Sequence, residues 1–452
     1  MFQDQEKYNL LYITSLPPTH SAGLVQAKLD ALISRGHNVD CITVYDYEGK
    51  KNNIIALFPQ IDQLPPSYIR KFFILPFKWF VCRMGIYNSI KKIKDEFVKH
   101  KKSRLNKKKS DILFLYPDEE IPPISPKLIV SKINKQYDAV ITGFWEGMIN
   151  STSLKAIYDK LHCPIIIGSP DMAPMTGGCY YFGKCRNFYN GCGYCEALGS
   201  TDCDDKSHRN YLTKKKNYDS IDCAFIGNTW MNKFAEKSKL FKNIFLSEVM
   251  IDESRFCEGD RNSARLSLGA AGEFIIMIAS SSQPRKGNRD IAEAVLKFHS
   301  NLSSKEQASI ELLIVGDDYI EKIFEQSKIN ICKQGRVDID KLAMCYQASD
   351  LFISASNDDA GPSMVNQAIM SGTPVVCYNN GTAIDVIENM VSGYKVNPGD
   401  KKGLTKGIEA IYNLSAMEYA ELRKSCREIA IRHNSTDVCI SNLLSIISKL
   451  KQ

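Results

Sequence analysis

The sequence predicts two doubly wound α/β domains facing each other across a cleft. Three observations carry this expectation. Apolar strand-like runs alternate with helical patterns from the N-terminus, and again from about residue 272, which is how βαβ units building parallel sheets read. The 452 residues suffice for two or three domains at roughly 100–200 residues each. A hydrophobic content of 44% fills cores of that size, and no repeat of roughly 20–50 residues points to a solenoid instead.

The first unit opens with a strand, YNLLYITSL, a loop, PPTHSAG, a helix, LVQAKLDALISRG, and a strand, NVDCITVYD. The Ser21-Ala22-Gly23 turn would present free backbone N–H groups at the helix entry, where an anion can sit. Residues 60–110 break the rhythm. Strands then resume with DILFLY, YDAVITGFW and CPIIIGS. An irregular stretch, 170–215, precedes DCAFIGNTW, a helix and IFLSEVMID. The second unit reads EFIIMIASS, a helix, IELLIVGDD, a helix, INICKQGRV, a helix at 340–348 and DLFISAS. There follow an acidic loop running into a small-residue helix and strand, NDDAGPSMVNQAIMSGTPVV, then SGYKV and C-terminal helices from about 404. The expected boundaries are 1–255 for the first domain, 256–432 for the second, and 433–452 for a helix packing back on the first. Ligands of such open sheets bind at the C-terminal ends of the strands.

Charge is unevenly placed. Residues 69–109 hold 14 Lys and Arg against Asp95 and Glu96, a local +12, so the remainder sums to about −5 (+7 minus +12). The basicity is therefore a footprint for something local and anionic. Tyr68, Phe72, Phe73, Phe77, Trp79 and Phe80 sit beside Arg70, Lys71, Lys78 and Arg83. Basic residues with aromatic anchors read as a segment lying on an anionic membrane surface; a solvated basic helix with its aromatics in the core is the plainer alternative. Nucleic acid fits the charge, but no nucleic-acid motif accompanies it. No apolar run reaches the roughly 18–20 residues of a membrane span. The start, MFQDQEKYNLLYITS, is polar and acidic, unlike a signal peptide. The 15 cysteines are an odd number and mostly lie singly in apolar runs, which suits a reducing, cytoplasmic setting.

The ordered set GNTWMNKFAEKSKLF, VMIDESRF, SSSQPRKG, LLIVGDD, YQASDLFISAS and DDAGPSMVNQAIMSGTPVV, with the Gly23 turn, resembles the retaining GT-B glycosyltransferases of the family-4, glycogen-synthase-like type. Within these it resembles the bacterial enzymes of capsule, colanic-acid-like and lipopolysaccharide assembly, which carry a segment like MTGGCYYFGKCRNFYNGCGYC. The resemblance spans nearly the whole chain, least at 60–125. It implies a UDP- or GDP-sugar donor and a first domain that holds the acceptor. The family signature of two glutamates separated by seven residues falls on Asp359 and Gln367, so both glutamates are replaced. By the resemblance, Asp359 lies near the donor sugar and Gln367 meets the ribose hydroxyls, with weaker hydrogen bonds than a carboxylate would make. Gly361 would allow close backbone approach, and Pro362, Ser363 and Met364 would lead a helix whose first N–H groups hold the diphosphate. Arg285 and Lys286 would neutralise the departing diphosphate, usually the largest catalytic term, and Arg336 would lie near the nucleobase.

On the acceptor side, the family's His-Asp pair falls on Pro170 and Asp171; the His is lost and Asp171 is the candidate for contact with the acceptor or the reacting sugar. Its plainer reading is a strand-end Asp capping a turn. Cys179, Cys185, Cys192 and Cys195 form C-x5-C-x6-C-x2-C, with Gly193 as the knuckle. That spacing is close to a structural zinc site; disulfides and unlinked thiols remain open alternatives. Four Cys ligands would leave no open position, so such a zinc would be structural. The transfer itself is expected to need no metal or cofactor: Asp317-Asp318 is not the spaced acid pair of metal-dependent transferases.

These residues predict a retaining, metal-independent glycosyltransferase moving a sugar to an undecaprenyl-diphosphate-linked saccharide in surface polysaccharide synthesis, peripheral on the inner face of the cytoplasmic membrane. The alternative is a non-catalytic scaffold of an assembly complex that keeps the fold, as the replaced glutamates would allow. A phosphorylase is disfavoured, since no cofactor lysine stands out.

Overall fold

The computed structural model describes residues 6–17, 24–45, 53–58, 113–114, 118–325 and 327–452. The Gly23 turn and the basic, aromatic stretch 69–109 lie outside the described residues. The first domain carries β1 (Asn9–Ile13), β2 (Asn38–Tyr45), β3 (Ile54–Phe58), β4 (Leu113–Phe114), β5 (Ala139–Thr142), β6 (Ile165–Gly168), β7 (Cys179–Tyr181), β8 (Cys223–Gly227) and β9 (Asn243–Leu246). The second carries β10 (Phe274–Ser280), β11 (Ile310–Gly316), β12 (Asn330–Gly335), β13 (Leu351–Ser354), β14 (Val375–Tyr378) and β15 (Gly393–Val396).

Both main sheets are parallel, ordered β3-β2-β1-β5-β6-β8-β9 and β12-β11-β10-β13-β14-β15. Their strands are near-continuous apolar runs because helices cover both faces. Along β10 the period of two shows directly: Ile275 and Met277 enter one core, Ile276 and Ile278 the other. The chain starts each sheet in its interior, winds outward, then returns to the far side. The switch points are β1/β5 and β10/β13, where loops after adjacent strands diverge and open a crevice.

Two departures from the sequence expectation follow from pairing. Within DILFLY, Leu113–Phe114 form β4, which pairs antiparallel with β7 rather than joining the parallel sheet. β3, not among the strands expected from the sequence, closes the edge beside β2. The last two helices cross between the domains. Cys426 and Ala430 of the helix Ala416–Asn434 pack in the second domain, and Ile440, Leu443 and Ile447 of Thr436–Lys451 pack under the first sheet. Ser435 separates them and caps the second through its hydroxyl, which accepts from Val438 N. At that crossing Asn434 Nδ2 donates to Val249 O at 2.9 Å and Thr436 Oγ1 donates to Glu253 at 2.8 Å, tying the helices to the interdomain segment.

The Cys-rich segment is pinned by a buried cation. Lys214, fully buried on the helix Lys206–Asp219, donates to Ala173 O (2.5 Å) and Thr176 O (2.6 Å) and lies 3.2 Å from Glu119. Glu119 is equally buried and accepts from Ser151 N and Oγ at 2.9 and 2.8 Å. Removing one member of such a pair strands the other charge without water. Lys214→Met should therefore lower stability by about 3–5 kcal/mol, measured by urea unfolding; a Lys214→Met, Glu119→Gln double variant should recover part of that loss.

Candidate active site

The strands aim their C-terminal ends into one interdomain cavity of about 850 Å³. The first domain contributes the ends of β5, β6 and β8 and the segment after β9; the second contributes the ends of β10, β11 and β13, with Arg336 and Val337 after β12. Asp359, Gly361, Pro362, Ser363 and Met364 line it, as does Lys286.

The PRK turn is fixed from below. Pro284–Lys286 forms a 3-10 turn ended by Gly287 at φ +67°, where a Cβ would stand 2.0 Å from Ala355 O. Only glycine fits that contact, and it presses the turn onto the end of β13. Asn357 N donates to Arg285 O at 2.8 Å, joining the turn to the acidic loop. Arg285 Nη1 donates to Asp359 Oδ2 at 3.1 Å and to Asp358 O at 3.2 Å, and Lys286 Nζ pairs with the same Oδ2. One nearly buried carboxylate thus holds two cations. The Arg285 guanidinium also lies 3.8 Å from the centre of the Tyr181 ring, a cation–π contact that keeps it flat against the first domain.

Beyond the loop, the helix Ser363–Met370 starts at Pro362 with no side-chain cap, so its first amides are not consumed by the protein's own side chains. Gly361 sits where a Cβ would come 3.1 Å from Asn228 Nδ2, which donates to Ala360 O at 2.7 Å across the domain boundary. A second bridge runs from Gly183 N to Asp358 Oδ2 at 2.8 Å. Burial pushes the Asp358 carboxyl up to about 6.

Asp171 stands beside this cleft. It lines a side cavity of about 270 Å³ that shares Phe144, Pro170 and Tyr181 with the main one. It is 2% exposed, and its Oδ1 accepts from Ala173 N at 2.8 Å, the turn-capping role of a strand-end Asp. Burial raises its carboxyl to about 7 against the pull of that hydrogen bond.

Two expected features do not form. Gln367 does not reach the cleft: it is 2% exposed and its Oε1 accepts from the Tyr346 hydroxyl at 3.3 Å. It lies one helical turn beyond Ser363, about 5.4 Å along the axis, where the helix has entered the core. The four cysteines gather closely enough that Cys195, Cys192 and Cys185 all raise the thiol of Cys179, whose burial is the larger cause. Yet among the described residues no three His, Cys, Asp or Glu side chains stand where they could hold a metal ion, and none of these cysteines is in a disulfide. Cys192, Gly193 and Tyr194 all have positive φ, and Gly177 N donates to Cys192 Sγ at 3.3 Å, so the knuckle turns one thiol onto the backbone. Sequence reasoning did not single out Tyr181 or Asp358, whose contacts with Arg285 and Gly183 depend on the two domains meeting.

Comparison with known proteins agrees with this geometry. Residues 260–433 match the family model for glycosyl transferases group 1. The chain resembles a sucrose-phosphate synthase from Thermosynechococcus elongatus (TM-score 0.62, 14% identity, 98% of this chain and 99% of that one). It also resembles HepE from Anabaena in complex with UDP and glucose (TM-score 0.59, 12% identity, 98% and 100%). TarM from S. aureus, solved with UDP, is similar over 97% of this chain and 99% of its own (TM-score 0.55, 14% identity). No curated protein sequence matches the chain. The fold is GT-B: two parallel-sheet α/β domains facing a cleft.

The raised carboxyl of Asp171 carries a signed consequence. Between the ordinary carboxylate range and about 7, the folded protein keeps a proton that the unfolded chain has released. Its contribution is therefore fully present at low pH and lost as pH rises to about 7. Asp171→Asn should gain stability relative to the native protein over that window and level off above it, by at most about 4 kcal/mol at 1.36 kcal/mol per pH unit, read from urea unfolding at several pH values.

Proposed function

We propose that the protein is a retaining glycosyltransferase using a nucleoside-diphosphate sugar. The observation that carries this reading is the cation pair Arg285 and Lys286 held on Asp359 beside the uncapped start of the helix Ser363–Met370, with Lys286 and Asp359 lining the interdomain cleft and Arg285 behind them. Two cations and the helix's first amides, those of Ser363 and Met364 (Val365 N already donates to Pro362 O), make a site for a diphosphate. Arg336, after β12, lines the same cavity and is the candidate for contact with the base.

In this reading the incoming diphosphate draws Lys286 and Arg285 away from Asp359, and the freed carboxylate accepts from hydroxyls of the donor sugar. The acceptor oxygen bonds to the anomeric carbon as the anomeric C–O bond to the diphosphate breaks. The acceptor proton passes to the departing phosphate oxygen on the same face. Lys286 and Arg285 stabilise the charge that develops there, in a site shielded from water where such stabilisation is largest. Asp171 orients the acceptor from the side cavity. The charge carried by residues 69–109 supports an anionic membrane surface as the setting, and a lipid-linked saccharide as the acceptor. Cytoplasmic placement on the inner membrane face follows from the same reading.

Titration calorimetry with UDP and GDP tests it. One of the two should bind the native protein. Lys286→Ala should weaken that binding about ten- to a hundred-fold, the loss of a hydrogen bond to a charged group at 1.5–3 kcal/mol. Binding of neither nucleotide would favour the scaffold reading, which the burial of Gln367 away from the cleft would then explain. For Asp171, unchanged turnover in Asp171→Asn would remove it from the acceptor site.

A further inference from the structure

The Cys-rich segment reaches the donor site from the first domain. Strand alternation decides how. On β7 and the residue after it, Tyr180 and Phe182 enter the first domain's core, while Tyr181 between them is half-buried and lines the cleft. Phe182 anchors the segment: its ring centre lies 4.9 Å from that of Phe188 and 4.8 Å from that of Phe234, on the helix Thr229–Ser238. Arg186 lies 4.8 Å from the Phe182 ring centre and donates to Gly183 O at 2.8 Å, which fixes the turn that follows β7. Two contacts from this anchored stretch then cross to the second domain. The Tyr181 ring centre lies 3.8 Å from the Arg285 guanidinium, and Gly183 N donates to Asp358 Oδ2 at 2.8 Å.

Arg285 depends on that ring. Its Nη1 donates to Asp358 O and Asp359 Oδ2, while its buried Nε has no hydrogen-bond partner among the described residues. The oxygens thus hold one end of the guanidinium, and the ring sets its plane. A planar cation makes a two-pronged contact with a phosphate only when that plane is right. Without the ring, the guanidinium could turn about its Nη1 contacts and would act as an undirected charge beside Lys286. Tyr181 also lines the side cavity that holds Asp171, so one ring is a wall of both spaces.

We propose that Tyr181 is a positioning residue for the transfer: the Cys-rich segment delivers its ring to set the plane of the Arg285 guanidinium, so the donor site is completed by the first domain. The proposal rests on the reading of the cleft as a nucleotide-sugar site. Calorimetry with UDP and GDP tests it. The nucleotide that binds the native protein should bind Tyr181→Leu roughly three- to thirtyfold more weakly, the range of a cation–π contact. Tyr181→Phe keeps the ring face and should stay within about twofold of the native affinity. In an Arg285→Met background, Tyr181→Leu should weaken binding no further, because the ring acts through that cation. A loss of equal size in both backgrounds would overturn the proposal, since general damage to the segment does not depend on Arg285. Native affinity in Tyr181→Leu would overturn it as well. Should Tyr181→Leu not fold, pentafluorophenylalanine at position 181 keeps the size of the ring and reverses the charge of its face. It should weaken binding at least as much, and unchanged binding there would overturn the proposal. If the native protein takes neither nucleotide, the reading of the cleft falls, and the same cycle of variants in urea unfolding decides the ring's role. A coupling of about threefold or more in the unfolding constant keeps Tyr181 as the residue that holds Arg285, and no coupling overturns it.

Discussion

Much of this molecule's site depends on Asp359 holding Arg285 and Lys286 at once. Two cations crowded after β10 would repel each other and swing into solvent without a carboxylate between them. The loop from Asn357 to Gly361 brings that carboxylate to them, and the backbone bond from Asn357 N to Arg285 O makes turn and loop one unit. Through Tyr181, which stacks on Arg285, the same unit touches the Cys-rich segment of the other domain. The resting site is therefore partly neutralised, one carboxylate against two cations. An anion entering it exchanges one partner for another rather than meeting bare, fully hydrated charges, so the desolvation of Arg285 and Lys286 has largely been met by folding.

Closure of the cleft is built from few contacts. Gly183 N to Asp358, Asn228 to Ala360 O and Thr229 N to Asp385 bridge the domains, at 2.8, 2.7 and 3.2 Å. All three fall on or near the donor loop and the short helix after β14. Any rearrangement of that loop as it takes a ligand acts directly on how the domains meet. Relative motion is anchored at the other end by the two C-terminal helices, which cross beside Glu253 and Val249. The segment 247–256 is thus both the passage between domains and the floor of the cleft.

The fold was legible because its signals are periodic and local. Fully buried parallel strands such as β13 and β14 are short apolar runs, and the alternation with helices places them in a doubly wound sheet. Lys286, Asp359 and the 361–364 loop were legible for the same reason: each follows a strand end, where open sheets bind ligands. What sequence could not show was rotation and juxtaposition. Gln367 occupies the signature position, but one turn into a helix whose residues from Val365 onward are buried, it faces Tyr346. The cysteine spacing suits a metal, but three consecutive positive φ values decide where the sulfurs point.

Part of the unsatisfied polarity in this protein lies at the cleft. Glu248, Asp358 Oδ1 and Arg285 Nε lack partners among the described residues, and all belong to the cleft or to the loop that closes it. Asp171, Asp358 and Glu248 all have carboxyls raised first by burial. Each such group weakens the fold as pH rises through its window, and a sequence selected for stability alone would have replaced them with apolar or neutral residues. The two sheets, with cores on both faces, carry that burden. Other unpartnered buried atoms, at His37, Asn232, Ser371 and Asn434, lie outside the cavity lining. Packing strands polar atoms in both domains, and the cleft is one such place among several, so it is nucleotide binding, not this pattern, that decides between a working and a decayed site.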